Sequence, residues 1–408
     1  MTRAGEGNPG DASSEDPRSA LLGVYRPPDL LFVRGDGSEL VDETGRRYLD
    51  FTSGIAVNAL GHGSPVIRRT MEEALATGLV HTSNLFRTAP AEALARRLSA
   101  LSGMDRVFFC NSGGEGVEGA LKFARRWARD VGGEEKHRIV AFRGGFHGRL
   151  FGSLAVTDRP EYRAPFEPLM AGVDFADPVE GPELEGLLDP ARTAAVIVEP
   201  IQGEGGVRPL PERFLQRLRA LTEARGILLI LDEIQCGVGR TGTFLAHESA
   251  GIRPDLLVLA KPLAGGLPMG AVLLTEEVAS TIRPGDHGTT FGGGPLVASV
   301  ALAVLETVAA PEFLRGVSAR GHRLRELLES LAARHPERIR EVRGRGLMWG
   351  MELAGLAAPV VDRARAAGLL LVGAGPHVVR LLPPLTVTEV ELERGVALLE
   401  GALNEEAA

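Results

Sequence analysis

Two ionisable residues stand at the ends of apolar runs. Lys261 closes Asp255-Leu-Leu-Val-Leu-Ala-Lys261, and Asp232 closes Gly226-Ile-Leu-Leu-Ile-Leu-Asp232. Each run has the length and composition of a buried parallel strand. In open α/β sheets ligands bind beyond the carboxyl ends of the strands. An amine and a carboxylate delivered there together suit a cofactor that needs both. Pyridoxal 5′-phosphate is such a cofactor: its aldehyde condenses with a lysine and its pyridinium nitrogen pairs with a carboxylate. Taken singly, Asp232 also reads as an N-cap and Lys261 as a surface lysine.

Four further loops follow strand-like runs. Cys110-Asn-Ser112-Gly113-Gly114-Glu115 leads into a stretch with Val117, Leu121, Ala124 and Ala128 at helical spacing. A glycine-rich turn at a helix N-terminus offers free amides and a positive dipole end to a phosphate. Arg143-Gly-Gly-Phe146-His-Gly-Arg149 holds a ring able to stack on a planar cofactor and a guanidinium able to fork onto a carboxylate. Val198-Glu-Pro-Ile-Gln-Gly-Glu204-Gly-Gly and His287-Gly-Thr289-Thr290-Phe-Gly-Gly complete the set. Each alone is also an ordinary solvated loop. Their common position after strands is what coincidence explains poorly.

The elements that position them alternate. Strands are expected at Val107–Cys110, Arg138–Phe142, Ala194–Val198, Ile227–Leu231 and Leu256–Leu259. Helices are expected at Glu92–Leu101, Val117–Arg129 and Arg213–Ala224. This is the pattern of an α/β fold with a mostly parallel central sheet and helices on both faces. Residues 21–64 open with short strands, and residues 311–408 carry an expected antiparallel pair over 339–353, a strand at Val378–Leu382 and a closing helix. The expected organisation is a tail over 1–20, disordered by its Gly, Ser, Pro and acidic content. A large α/β domain over 65–310 follows 21–64, the N-terminal part of a smaller α+β domain completed by 311–408.

Bulk composition sets limits. A net charge of -8 disfavours nucleic acid as a partner. Two cysteines, Cys110 and Cys236, are too few for a disulfide framework and fit a reducing compartment. The first twenty residues lack the apolar core of a signal peptide, and no apolar run approaches the roughly 20 residues that span a bilayer. The expectation is a soluble cytoplasmic protein.

Beyond single loops, Phe51-Thr-Ser-Gly-Ile-Ala-Val-Asn-Ala-Leu-Gly-His62, Phe146-His-Gly-Arg149, Val198-Glu-Pro-Ile-Gln-Gly-Glu-Gly-Gly-Val207, Leu231-Asp-Glu-Ile-Gln-Cys-Gly-Val-Gly-Arg-Thr-Gly242, Gly288-Thr-Thr-Phe-Gly-Gly293 and Val342-Arg-Gly-Arg-Gly-Leu-Met348 occur in that order. Over about residues 22–400 the sequence resembles the class III, ornithine-type aminotransferases of pyridoxal-phosphate fold type I, most closely the acetylornithine branch and its lysine-biosynthesis relatives.

The resemblance implies that Lys261 carries the cofactor and moves a proton between the substrate carbon and the cofactor. It implies that Asp232 holds the pyridine nitrogen protonated, that Gln235 approaches the phenolic oxygen and that Phe146 stacks on the ring. Ser112, Gly113 and Gly114 form the phosphate turn, and Thr290 reaches the phosphate from the other subunit of an obligate homodimer. Arg149 and Arg380 match two carboxylate-binding arginines, Glu204 the glutamate that pairs with the second, and Thr289 a contact to the acylated substrate.

The activity implied is transfer of the terminal amino group of N-acetylornithine, or a similar N-acylated diamine, to 2-oxoglutarate in arginine or lysine biosynthesis. Alternatives are a 4-aminobutyrate or carrier-protein-linked aminoadipate-semialdehyde aminotransferase, and a cofactor-binding regulator without turnover. Three loops depart from the family pattern: Gly114 replaces a threonine in the phosphate turn, Pro262 a glycine after the lysine, and Gly294 an asparagine. Pro262 biases Lys261 towards extended backbone.

Overall fold

The computed structural model describes residues 20–25 and 27–404. The expected disordered tail lies outside them except for Ala20. Seven strands form the largest sheet, in the spatial order Arg106–Cys110, Gly270–Leu274, Leu256–Leu259, Leu228–Asp232, Thr193–Val198, Arg138–Phe142, Val173–Ala176. From Leu256–Leu259 to the Val173–Ala176 edge every neighbouring pair is parallel. Gly270–Leu274 runs antiparallel to both its neighbours. The fold is α/β with a mostly parallel central sheet, as the alternation of apolar runs and helical segments predicts.

Thr193–Val198 and Leu228–Asp232 are buried along their whole length, which explains why they read as continuous apolar runs rather than alternating ones. Gly270–Leu274 and Val173–Ala176 are strands that the sequence pattern left unmarked. The first lies only a few residues beyond the lysine loop, and the second is a short edge strand whose first three residues are half-buried.

Two smaller sheets join the chain ends. Phe32–Asp36, Glu39–Asp42 and Arg47–Asp50 form an antiparallel meander, to which Leu369–Leu370 adds in parallel. Ile339–Arg345, Met348–Leu353, Val378–Leu381 and Val372–Gly373 make an antiparallel four-stranded sheet. The Leu382 N–H donates to the Phe51 carbonyl at 2.7 Å, tying the two sheets together. No single helix among the described residues is long and apolar enough to cross a membrane.

One short segment is unusual. Ser53, Gly54, Ile55 and Ala56 all have positive φ, at 47°, 63°, 61° and 68°. The Ala56 and Val57 N–H groups donate to the carbonyls of Thr52 and Ser53, so the four residues form one left-handed helical turn. Left-handed backbone costs roughly 1–2 kcal/mol per non-glycine residue, and for a β-branched residue such as Ile55 it is a true outlier.

Candidate active site

A cleft of about 310 Å³ opens at the carboxyl ends of the central strands, a size within the usual range for a small ligand. Ser112, Gly113, Gly114, Phe146, Asp232, Gln235 and Lys261 all border it. Residues separated by up to 149 positions therefore converge at the strand ends, where the sheet topology delivers them.

The phosphate turn begins the 20-residue helix Gly113–Gly132. Ser112 is its N-cap, the side-chain oxygen accepting from the Glu115 N–H at 3.2 Å, and the Glu115 carboxylate accepts from the Asn111 N–H at 2.5 Å. The cap rigidifies the turn, and the first helical residues, Gly113 and Gly114, whose amides have no helical acceptor, border the cleft. Gly113 has no room for a side chain, since a Cβ would meet Ile234 Cδ1 at 2.8 Å. Gly114 has room: the nearest atom to an added Cβ is Leu150 Cγ at 3.5 Å, and its φ is not positive.

Asp232 is the last residue of its strand and only 3% exposed. One carboxylate oxygen accepts from the Ile234 N–H at 3.0 Å, and the other lies 2.8 Å from His147 Nδ1. A carboxylate offers about four lone-pair sites, so capacity remains for a donor in the cleft. Burial disfavours the His147 imidazolium, but the Asp232 hydrogen bond and charge outweigh it and raise the imidazole above its ordinary value.

Glu199 also borders the cleft and accepts from the Phe146 N–H at 2.9 Å and the Gly203 N–H at 3.0 Å. It thus joins the loop bearing Phe146 and Arg149 to the loop bearing Glu204. Burial pushes its carboxyl up to about 7, against the lowering effect of His147.

Lys261 opens the 3₁₀ turn Lys261–Ala264 just beyond strand Leu256–Leu259. The extended geometry that Pro262 favours at Lys261 is not what forms. The Leu263 N–H donates to the Ala260 carbonyl and the Gly265 N–H to Pro262, so proline occupies a first-turn position where an N–H would have no helical acceptor. Burial, and then the Arg380 charge, lowers the Lys261 amine to about 8 against the opposing pull of Glu204, Glu199 and Asp232.

The substrate-handling residues divide into two groups. Arg380 is 1% exposed, and its Nη1 donates to Glu204 Oε1 at 2.6 Å and to Gln235 Oε1 at 3.0 Å. Because Arg380 takes the Gln235 carbonyl oxygen, the amide NH₂ is the end left for a ligand. Arg149 is exposed, with its guanidinium 3.4 Å from the centre of the Tyr162 ring and 5.9 Å from that of Phe146.

Thr289 and Thr290 do not border this cleft. The Thr289 hydroxyl accepts from Asn111 Nδ2 at 3.2 Å and from the Gly292 N–H at 3.3 Å, while Thr290 is exposed. Sequence reasoning missed His147, Glu199 and Tyr162 as partners. His147 and Glu199 sit inside the motifs quoted above, but nothing along the chain signals pairing across 85 or 53 positions.

The donor set fits pyridoxal 5′-phosphate: a buried amine of lowered basicity, a carboxylate paired with an imidazole, and a glycine-lined helix N-terminus share one cleft. The chain matches the family model described as aminotransferase class-III over residues 24–403. It is 49% identical over 383 residues to the mitochondrial acetylornithine aminotransferase of Alnus glutinosa, covering 93% of this chain and 84% of that protein. The acetylornithine aminotransferase of Xanthomonas campestris pv. campestris is 46% identical over 388 residues, covering 94% and 95%.

Among solved structures, the ornithine aminotransferase from Toxoplasma gondii superposes with a TM-score of 0.89 at 31% identity, over 94% of this chain and 92% of that one. The N-acetylornithine aminotransferase from Stenotrophomonas maltophilia gives 0.81 at 39% identity, over 93% and 96%. The chain belongs to the class III aminotransferases, and pyridoxal 5′-phosphate is its cofactor.

Proposed function

We propose that this aminotransferase moves the terminal amino group of N-acetylornithine, or of a similar N-acylated diamine, to 2-oxoglutarate, giving a semialdehyde and glutamate in arginine or lysine biosynthesis. The observation that carries the reading is the Arg380–Glu204 pair at 2.6 Å beside Lys261 and Gln235. An enzyme that alternates between a dicarboxylate and an amine without a second carboxylate at that end needs a cation that can be masked. A bare arginine favours the dicarboxylate alone, whereas a movable ion pair serves both. The names of the relatives point to the same donor.

Bound pyridoxal 5′-phosphate supplies the electron sink for the carbon that carries the amine. Lys261 Nζ would hold the cofactor and would carry the proton at that carbon. Asp232, oriented by His147, keeps a proton on the pyridine nitrogen. Phe146 would stack on the cofactor ring, and the Gln235 NH₂, left free by Arg380, would serve its phenolic oxygen. The Gly113 and Gly114 amides would take the phosphate, Arg149 would meet a substrate carboxylate from its stack on Tyr162, and Thr289, outside this cleft, would contact the acylated substrate.

The reading includes a homodimer in which Thr290 reaches the partner's phosphate. It is supported by the exposed apolar surface around that residue: Phe291 is 66%, Phe86 71% and Leu85 87% exposed, and Asn84 Nδ2 donates to the Thr289 carbonyl.

The test is to offer the cofactor-loaded protein glutamate, N-acetylornithine, ornithine, 4-aminobutyrate and a carrier-linked aminoadipate-semialdehyde amine separately, following loss of the visible absorbance of the lysine-bound cofactor. Conversion by glutamate and N-acetylornithine is expected. Conversion by 4-aminobutyrate or the carrier-linked amine but not N-acetylornithine overturns the donor, and no conversion by any amine overturns the activity.

Glu204→Gln is expected to slow the N-acetylornithine half-reaction about tenfold, a change of about 1.4 kcal/mol. The glutamate half-reaction should be kept, because Arg380 is then permanently available to a carboxylate. Equal losses in both, measured by single-turnover kinetics, would exclude the switch.

At the phosphate turn, Gly114→Thr has space and adds a hydroxyl donor, so cofactor affinity should rise by the equivalent of about 0.5–1.5 kcal/mol. Gly113→Ala, which meets Ile234, should weaken it. Equilibrium titration of the cofactor-free variants checks both.

A further inference from the structure

The left-handed turn Ser53–Ala56 is strained, and the residues that hold it are identifiable. Asp50, 1% exposed, accepts through Oδ1 from the Thr52 N–H at 2.8 Å, the Thr52 hydroxyl at 2.7 Å and the Ser53 N–H at 3.0 Å. Its Oδ2 lies 2.9 Å from His62 Nε2. His62 is fixed in turn by paired backbone hydrogen bonds with Gly37. One buried carboxylate therefore gathers both strands of chain leading into and out of the turn. Without it, Ser53, Ile55 and Ala56 would be expected to relax to negative φ, the backbone that L-residues prefer.

The strain has a location that matters. The turn packs against the 3₁₀ segment that begins with Lys261. The residue that follows it, Val57, borders the cofactor cleft, as does Gly266 of the lysine loop. Asn58 Oδ1 lies 3.1 Å from the position a Cβ on Gly266 would occupy, and Gly266 itself has a φ of 121°. The turn thus packs on the loop that carries Lys261 and braces it. A relaxed turn would change the direction of Val57 and Asn58 and withdraw that brace. The Ser53 hydroxyl is buried without a hydrogen-bond partner, so apart from its backbone hydrogen bonds and the Thr52 cap on the Gly54 N–H the turn relies on Asp50 to hold it.

We propose that Asp50 is a positioning residue: it latches the left-handed turn Ser53–Ala56, which braces the Lys261–Gly266 loop and so places the lysine amine for cofactor capture. The proposal rests on Lys261 being the lysine that holds pyridoxal 5′-phosphate. It assigns no chemistry to Asp50, which acts only through the backbone it holds.

The test compares cofactor-free wild type, Asp50→Ala, Asp50→Asn, and the double variant Asp50→Ala with Ile55→Gly, each titrated with pyridoxal 5′-phosphate. Asp50→Ala is expected to weaken binding about tenfold, and Asp50→Asn, which keeps one acceptor oxygen, about threefold. The double variant should recover most of the loss, because glycine adopts left-handed backbone at no steric cost and needs no latch. At saturating cofactor, Asp50→Ala should show a lowered kcat with KM for the amine unchanged, a split that general loosening of the fold would not produce.

A folded Asp50→Ala protein with wild-type affinity overturns the proposal, as does a loss that Ile55→Gly fails to recover. Should the alanine variant not fold, the asparagine variant decides, and wild-type affinity there overturns it. Wild-type protein that captures no cofactor, or Lys261→Ala that still forms the visible lysine-bound band, would instead sink the assignment of Lys261.

Discussion

Lys261→Ala is expected to abolish turnover, by at least about 10⁴-fold, while leaving the protein folded. The loss combines the missing covalent attachment with the missing proton carrier, and general acid–base catalysis alone contributes roughly 10²–10⁴-fold. Folding should not suffer: the amine is desolvated by burial and further disfavoured as a cation by Arg380, which brings it down to about 8. Below that pH the folded protein must accommodate a buried ammonium, so the alanine variant is expected to match or exceed wild-type Tm near neutrality.

The same depression predicts how the cofactor-free wild type captures its cofactor. Only the neutral amine attacks the aldehyde. The capture rate should therefore rise about tenfold per pH unit up to about 8 and then level, instead of climbing towards the ordinary lysine value near 10.5. Stopped-flow absorbance reads this directly. A rate still climbing well above pH 9 would show that Lys261 is not held in the environment described.

Asp232→Asn is the second large effect. The amide cannot hold a proton on the pyridine nitrogen as a carboxylate does, and removing such electrostatic support costs roughly 10²–10³-fold in kcat. The variant should also lose a pH-dependent part of its stability. His147 is raised in the folded state, so its pairing with Asp232 stabilises the fold fully below the unfolded imidazole value of about 6.5, and that contribution fades as pH rises through the folded value. The Tm gap between wild type and Asp232→Asn should consequently be wider at pH 6 than at pH 9. A gap independent of pH would mean that the imidazole does not carry the charge in the folded protein.

Much of this was legible along the chain for a definite reason. A strand buried on both faces must be apolar throughout, so the charged residue ending it is conspicuous, as Asp232 ends Leu228–Asp232. Lys261 follows Leu256–Leu259 in the same way, and Ser112-Gly113-Gly114 follows Arg106–Cys110. Topology then dictates that these loops meet, because parallel strands present their carboxyl ends on one edge.

The antiparallel strand Gly270–Leu274 was less legible. Its five residues are all buried, and a short apolar run in a glycine-rich region carries no mark of direction.

The sequence alone thus determined the sheet class, the cofactor and seven residues that border the cleft, from Ser112 to Lys261, since burial and strand ends leave a one-dimensional trace. The tertiary structure alone decided the pairings: His147 on Asp232, Glu199 across two loops, Gln235 and Glu204 on Arg380, Tyr162 beneath Arg149, and Asp50 beneath a left-handed turn. Those depend on contacts between residues far apart in the chain and on backbone dihedrals that no spacing of residue types encodes. They are also what fixes the charge and direction of each group, so the chemistry was readable from residue types while its tuning required the fold.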